Sequence, residues 1–177
     1  TQITTTVTTP TSYTVSFNLN GASGTAPATQ TVTATNGLTY PAVPARSGYA
    51  FAGWYTTSSC TGTPYDFSAN ITANTTLYVK WVSMNSSYSS REYVDIVNYS
   101  SSSNKKSVTA SSYSAYNYYY FTCYKSGTYT IYANWVEGDY KFNVSNVTSG
   151  NTIISDFNLY SSHKSTSASF TANAGDI

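Results

Sequence analysis

Apolar and polar residues alternate along much of the chain, and a period of two residues is the pattern of a β-strand with one buried face. The clearest case is Tyr13, Val15, Phe17 and Leu19, which alternate with threonine, serine and asparagine. The same pattern predicts further strands at residues 31–35, 49–55, 76–82, 93–99, 116–124, 128–135, 140–144, 153–160 and 168–171. No segment has a convincing helical period, so the fold is predicted to be mainly β.

Glycine-containing turns separate several of these strands. Asn20-Gly21 predicts a turn after the first strand. Lys125-Ser126-Gly127 predicts a tight connection that would pair residues 116–124 with residues 128–135 as a hairpin. Gly53 lies inside a strand pattern, where glycine indicates a bulge or a close approach of another backbone.

An ordered series of aromatic and glycine residues occupies the first half of the chain. It runs Tyr-x-Val-x-Phe from Tyr13, then Arg46-Ser47-Gly48-Tyr49-Ala50-Phe51-Ala52-Gly53-Trp54-Tyr55, then Tyr65-Asp66-Phe67 and Leu77-Tyr78-Val79-Lys80-Trp81. With these motifs residues 13–82 resemble the internalin B-repeat family, also called the Listeria–Bacteroides repeat. The resemblance implies a compact β-grasp-like module, a bacterial surface location and no catalytic residue. The aromatic side chains themselves are best interpreted as core, since a small domain needs large side chains to bury enough area.

The second half of the chain bears a weaker resemblance to bacterial pre-peptidase C-terminal domains. The residues that carry it are Tyr118-Tyr119-Tyr120-Phe121, Gly127-Thr128-Tyr129-Thr130-Ile131, Asp156-Phe157-Asn158-Leu159-Tyr160 and Phe170-Thr171-Ala172-Asn173-Ala174-Gly175-Asp176. The resemblance implies an antiparallel, jelly-roll-like β-sandwich whose closing strands would lie beyond Ile177. An unpaired edge of that kind could pair with another copy of the chain. Asn158 stands where the family commonly has an aspartate, so a bound cation is not implied.

Polar stretches predict how the chain is divided. Residues 1–12 are rich in threonine and residues 83–90 are rich in serine, and both are predicted to be linkers. A β-grasp-like domain is therefore expected at residues 13–82. A β-sandwich, expected to be cut short at its C-terminus, is predicted at residues 91–177.

Charge and cysteine content narrow the class of protein. Charged residues make up 8% of the chain, aromatic residues make up 16%, and the formal net charge is +1. Such a chain has no basic surface to attract nucleic acid, and no apolar run approaches the length of a membrane span. Cys60 and Cys123 lack metal-ligand spacing. Either an interdomain disulfide or two separate buried thiols would fit, and we favour the thiols.

Tyrosines of the predicted hairpin are the candidate ligand-binding residues. Strand alternation places Tyr119, Phe121 and Cys123 on an inward face. The outward face would carry Thr122 and other polar residues together with the candidate set, which is Tyr118, Tyr120, Tyr124 and Tyr132. Tyrosine rings beside hydroxyls suit sugar rings, and aromatic patches also suit protein partners. The alternative, which we favour, is that these tyrosines form cross-strand ladders or pack against the first domain.

Residues that could support catalysis or metal binding are few. His163 is the only histidine and lies in a polar stretch without a nucleophile motif. Glu137-Gly138-Asp139 could supply oxygens to a calcium ion, but two acids around a glycine are more often a turn. Lys141 raises a minor possibility, an internal Lys–Asn crosslink of the kind found in Gram-positive surface proteins. No enzyme activity, cofactor or metal site is therefore expected.

Composition and resemblance together predict a non-catalytic, extracellular bacterial cell-surface module. It would act as a spacer or adhesion unit of a larger secreted protein and could bind a protein receptor or a cell-surface glycan. The alternative is a carbohydrate-binding accessory region of a secreted hydrolase.

Overall fold

A computed structural model of the protein describes residues 10–33, 37–84, 86, 90–93, 117–134, 140–159 and 165–177. Within these ranges the secondary structure consists of strands, with no helix, so the predicted mainly β fold is confirmed. The strands are β1 (Ser12–Asn18), β2 (Gln30–Thr33), β3 (Tyr49–Tyr55), β4 (Thr75–Ser83), β5 (Ser90–Tyr93), β6 (Asn117–Tyr120), β7 (Gly127–Asn134), β8 (Tyr140–Asn146), β9 (Asn151–Leu159) and β10 (Ser165–Ala172).

Two compact units are formed by the chain. The first contains Thr1–Pro44 and Trp54–Val79, and the second contains Ala45–Gly53 and Lys80–Ile177. Most of β3 and the end of β4 therefore belong to the second unit. The predicted domain boundary between residues 82 and 91 stays a prediction.

The first four strands form a mixed sheet in the order β2-β1-β4-β3. β1 pairs with β2 in antiparallel fashion, with Tyr13 opposite Val32, and pairs with β4 in parallel, with Phe17 opposite Leu77. β3 is the outermost strand at one end of this sheet. The β-grasp arrangement itself stays a prediction.

The core of the first unit follows the alternation of the sequence. Val15 and Phe17 of β1 are buried, as are Leu77 and Val79 of β4. The Phe17 ring meets the buried Trp54 ring edge to face, with 5.0 Å between ring centroids. The prediction that the repeat's aromatic residues fill a core is confirmed for these two side chains.

Strand β3 is buried on both faces, since residues 50–55 are all buried. Alternate residues of a strand point to opposite faces, so both faces of β3 must be covered. Gly53 has a φ of 104°, a backbone conformation that favours glycine over residues with a Cβ. This conformation agrees with the local irregularity that the sequence predicted at this position.

The Asn20-Gly21 turn is confirmed, with φ values of 49° and 87° and a hydrogen bond from the Ala22 amide to the Leu19 carbonyl at 3.2 Å. The Asn20 side chain also has a structural role. Its Nδ2 donates to the carbonyls of Ser58 and Val79, both at 3.0 Å. The turn therefore fixes a neighbouring loop and the backbone of β4.

The remaining strands form three ladders: β5 with β6, β7 with β10, and β8 with β9. The hairpin predicted from Lys125-Ser126-Gly127 is wrong, because β6 and β7 pair with other strands. The backbone explains why: the Cys123 amide donates to the Asp176 carbonyl at 2.8 Å, and the Gly175 amide donates to the Cys123 carbonyl at 2.7 Å. The chain after β6 is thus paired with the C-terminal segment rather than with β7.

The sandwich was predicted to be antiparallel throughout, and one ladder differs. β7–β10 and β8–β9 are antiparallel, but β5 and β6 run parallel, with Tyr93 opposite Tyr120. Parallel neighbours need a long connection, and the chain between residues 93 and 117 supplies one. The jelly-roll arrangement of these ladders stays a prediction.

Candidate functional site

Tyr120, one of the four candidate tyrosines, lies in a core cluster of the second unit. Its side chain is 8% exposed and belongs to a buried group with Ala50, Ala52, Met84 and Ile177. Ala50 and Ala52 are on β3, so a strand of the repeat motif supplies one wall of this cluster. The remaining packing comes from the partly buried side chains of Val82, Tyr93 and Tyr118.

Thr122 is the buried polar residue next to this cluster. Its side chain is fully buried, and its hydroxyl donates to the backbone carbonyl of Phe51. The Tyr93 hydroxyl donates to Thr122 Oγ1 at 3.1 Å and also lies 3.1 Å from the Tyr124 hydroxyl. We call Tyr93, Thr122 and Tyr124 the hydroxyl network. It satisfies polar atoms that would be costly to bury alone.

The predicted outward tyrosine face is therefore wrong for Tyr120. Tyr120 is in the core, Tyr118 and Tyr124 are half-buried, and Tyr132 is 57% exposed. Residues 121–126 are not in a strand, so simple alternation does not extend past β6. Packing against the repeat motif, the alternative favoured from the sequence, describes Tyr120 correctly. Ligand binding by any of the four tyrosines stays a prediction.

The predicted inward face holds in part. Cys123 is 2% exposed, while Tyr119 and Phe121 are half-buried. On the other predicted strand, the inward-pointing Tyr129 stacks on Phe170 of β10, with ring centroids 6.0 Å apart.

The outer face of the β7–β10 ladder is rich in exposed hydroxyl groups. Tyr132 lies opposite Ser167 in this ladder, and Thr130 lies opposite Ser169, with the two hydroxyl oxygens 2.8 Å apart. Tyr132 is therefore an exposed ring beside uncharged hydroxyls. It is the one candidate tyrosine that retains the surroundings predicted for a ligand-binding residue.

Cys123 is held by both backbone and side-chain contacts. Burial, reinforced by the nearby charge of Asp176, raises the pKa of its thiol to about 12, and a hydrogen bond with Tyr129 opposes the shift. Burial likewise raises the pKa of Tyr129. A thiol with such a raised pKa is a poor nucleophile at neutral pH, so a structural role fits this residue.

Cys60 is the second buried thiol. Its Sγ donates to the Val79 carbonyl at 3.4 Å, and Nδ2 of the Asn20 side chain lies 3.4 Å from the sulfur. Cys60 and Cys123 are each a buried free thiol, so the preferred prediction of two separate buried thiols is confirmed.

Arg46, one of the few charges in the repeat motif, also has a structural position. Its guanidinium lies 3.9 Å from the centre of the Tyr49 ring and 5.9 Å from the Trp81 ring. Cation–π contacts of this kind contribute about 0.5–1 kcal/mol at exposed sites. The Arg-x-Gly-Tyr motif therefore forms a turn stabilised by its own arginine.

Most of the metal and catalytic candidates lie where the structure does not test them. The described part of the chain contains no group of three His, Cys, Asp or Glu residues that could hold a metal ion. His163 and the Glu137-Gly138-Asp139 sequence lie outside the described residues, as does the side chain of Lys141. The part of the chain that the structure describes contains no candidate for a membrane-spanning helix.

Sequence reasoning missed Thr122. Alternation placed it among outward polar residues, and nothing in its neighbourhood marked it as buried. The only available signal was indirect: β3 is an apolar strand with Ala50 and Ala52 on one face. Such small residues leave room for large side chains from elsewhere in the chain.

The described geometry defines a β-sheet module whose motif residues pack in cores or stabilise turns. The described residues thus define the class as a mainly β module. Residues 13–80 match the model of the Listeria-Bacteroides repeat domain (List_Bact_rpt), which confirms the resemblance predicted from the sequence. No curated protein and no solved structure matches the chain significantly. Repeats of this family typically occur in bacterial surface proteins.

Proposed function

We propose that the protein is a non-catalytic, extracellular module of a bacterial surface protein that acts as a spacer or adhesion unit. The observation that carries the proposal is the family match at residues 13–80. Modules of this family are parts of larger proteins, so a role in positioning or attachment fits better than a role in turnover.

The structural roles of the motif residues support this proposal. Phe51 and Trp54 are fully buried, and Arg46 stacks on Tyr49. These residues maintain the module, so a ligand would be met by other residues on its surface.

The surface location is tested on intact cells of the bacterium that produces the protein. An antibody raised against the purified chain should label unpermeabilised cells, and brief protease treatment of those cells should remove the signal. Labelling that requires permeabilisation would contradict the surface assignment. An assay of the purified chain against polysaccharides and peptides should show no turnover. Hydrolysis that copurifies with the chain would overturn the proposal that the module is non-catalytic.

A second candidate function is carbohydrate binding at the outer face of the β7–β10 ladder. The observation that favours it is Tyr132, exposed beside Thr130, Ser167 and Ser169. An aromatic ring with adjacent hydroxyls offers both stacking and hydrogen bonds to a neutral sugar.

This second candidate is tested with a glycan array and insoluble polysaccharides. Tyr132→Ala should abolish binding, while Val147→Ala, which removes another exposed large hydrophobic residue, should leave it unchanged. Equal binding by the wild type and Tyr132→Ala would eliminate this face as the site.

A further inference from the structure

The Asn20-Gly21 turn contains a sequence that is chemically reactive. An asparagine followed by glycine deamidates readily, because glycine has no side chain to hinder attack by its backbone nitrogen. The Gly21 nitrogen attacks Cγ of Asn20, the new C–N bond closes a succinimide ring, and Nδ2 leaves as ammonia with the proton of the Gly21 amide. Water then opens either side of the ring and leaves aspartate or isoaspartate at position 20.

The nitrogen that this reaction removes has a structural role. Asn20 Nδ2 donates to the Ser58 carbonyl and to the Val79 carbonyl, both at 3.0 Å. Val79 is fully buried on β4, whereas Ser58 lies in the connection between β3 and β4. One side-chain amide therefore joins the turn to a loop and to a core strand.

The surroundings of Nδ2 suit a hydrogen-bond donor and not a carboxylate. Two carbonyl oxygens face it, and the Cys60 sulfur, 3.4 Å from Nδ2, donates its own proton toward the Val79 carbonyl. A carboxylate oxygen accepts hydrogen bonds but cannot donate one. Aspartate at position 20 would therefore leave both carbonyls without this donor and would add a negative charge beside them.

The folded turn also restrains the reaction. The Asn20 amide donates to Asn18 Oδ1 at 2.8 Å, and the Ala22 amide donates to the Leu19 carbonyl at 3.2 Å, so the backbone around Gly21 is held in place. Release of ammonia also requires both hydrogen bonds of Nδ2 to break. Deamidation is therefore expected mainly in chains that have opened locally or unfolded.

We propose that Asn20-Gly21 is a deamidation site gated by folding: the folded module protects the amide, and a chain that deamidates while unfolded returns to a less stable fold. Isoaspartate adds a further cost, because it inserts an extra carbon into the main chain of a turn with φ values of 49° and 87°. Unfolding would thus leave a lasting chemical mark on the module. The proposal does not depend on what the module binds.

The effect of the product on stability is tested in the full chain with two matched variants. Asn20→Asp replaces the donor by an acceptor and should lower the melting temperature by about 5 °C or more. Asn74→Asp makes the same change where the side-chain oxygen forms the contact, since Asn74 Oδ1 accepts from the Thr14 amide at 2.9 Å. That variant should lose less than about 2 °C. Equal losses for the two variants would overturn the proposal.

The protection by folding is tested on the wild-type chain in mildly alkaline buffer, with and without urea. Mass spectrometry of the peptide that contains Asn20 should show deamidation at least about tenfold slower in the folded chain than in urea. Asn36-Gly37, the same dipeptide elsewhere in the sequence, calibrates the rate in urea. Equal rates at Asn20 with and without urea would overturn the gating.

A mixture of modified and unmodified chains tests both parts together. Chains aged in urea are refolded by dilution and exposed briefly to a protease at an intermediate urea concentration, where the less stable chains are cut first. The surviving chains should be depleted in aspartate and isoaspartate at position 20. Survivors that keep the full modified fraction at this position would contradict the proposal.

Discussion

Two aromatic-rich stretches of the chain share an alternating pattern but differ in how that pattern relates to burial. In β1 and β4 the apolar positions are the buried ones, as Val15, Phe17 and Leu77 show. In residues 117–124 the positions predicted to face outward include Tyr120 and Thr122, which are both buried.

The difference comes from where each stretch finds its packing partners. β1 packs within a sheet whose strands all come from the same repeat motif. Residues 120–124 pack on β3, about seventy positions earlier in the chain, as the hydrogen bond between Thr122 and Phe51 shows. Alternation describes a strand with one buried face, so it fails where a segment leaves its ladder and crosses another strand.

The largest expected effect is in the core of the first unit. Trp54→Ala should reduce the free energy of unfolding by about 3–5 kcal/mol, because a fully buried indole is replaced by a cavity. Chemical denaturation monitored by circular dichroism measures the loss. Trp81→Ala, at a half-buried position, should cost clearly less. Equal losses for the two variants would show that Trp54 is not a core residue.

A pair of tyrosines sharpens the comparison within the second half of the chain. Tyr120→Ala should reduce the free energy of unfolding by about 2–4 kcal/mol, since it empties part of a buried cluster. Tyr132→Ala should change it by less than about 0.5 kcal/mol because the side chain is exposed. Urea denaturation of both proteins gives the two values. A larger loss for Tyr132→Ala than for Tyr120→Ala would support the outward tyrosine face that the sequence predicted.

A smaller loss is expected where the backbone of β3 is unusual. Gly53→Ala places a Cβ on a residue with a φ of 104°, which should cost about 1–3 kcal/mol. The melting temperature measures the effect. Gly37→Ala is a suitable control, since Gly37 has no positive φ and a Cβ there would meet nothing within 4 Å. A Gly53→Ala protein as stable as the control would show that the strand relaxes without strain.

The smallest effect concerns the buried thiol. The pKa of Cys123 is raised from 9.0 to about 12. Between these two pH values the thiol therefore keeps its proton in the folded state and loses it in the unfolded state. Stability from this group is complete below pH 9 and falls as the pH rises toward 12.

Urea denaturation at several pH values between neutrality and pH 11 measures this slope. Cys123→Ser is not a neutral control, because it changes the buried contacts, so Cys123→Ala is the better comparison. The difference in slope between wild type and Cys123→Ala isolates the thiol from tyrosines whose pKa is also raised, such as Tyr129. Parallel slopes for the two proteins would contradict the assigned shift.

Much of the fold could be predicted from the sequence. Period-two alternation predicted the strands around Val15 and Leu77, and Asn20-Gly21 predicted a turn that the structure contains. The ordered motifs also predicted the repeat family for residues 13–82, and the family match covers residues 13–80. These predictions succeed because strand pattern and turn chemistry are local properties of the sequence.

Less of the candidate site could be predicted from the sequence, for a physical reason. The hairpin joining β6 and β7 depended on a Ser126-Gly127 turn that does not decide strand pairing by itself. Pairing was settled by long-range contacts, such as the ladder between β7 and β10 and the backbone bonds of Cys123 to residues 175 and 176. Neither alternation nor turn residues encode which distant strand a segment will meet.

The most direct measurement is residue-resolved nitration of tyrosines in the folded chain, with tandem mass spectrometry to assign each modified ring. The central claim is that residues 120–124 are packed on β3 while the outer face of β7 is exposed. The account predicts rapid nitration of Tyr132 and protection of Tyr120, with protection lost in denaturant. Nitration of Tyr120 as fast as that of Tyr132 in the native protein would contradict it.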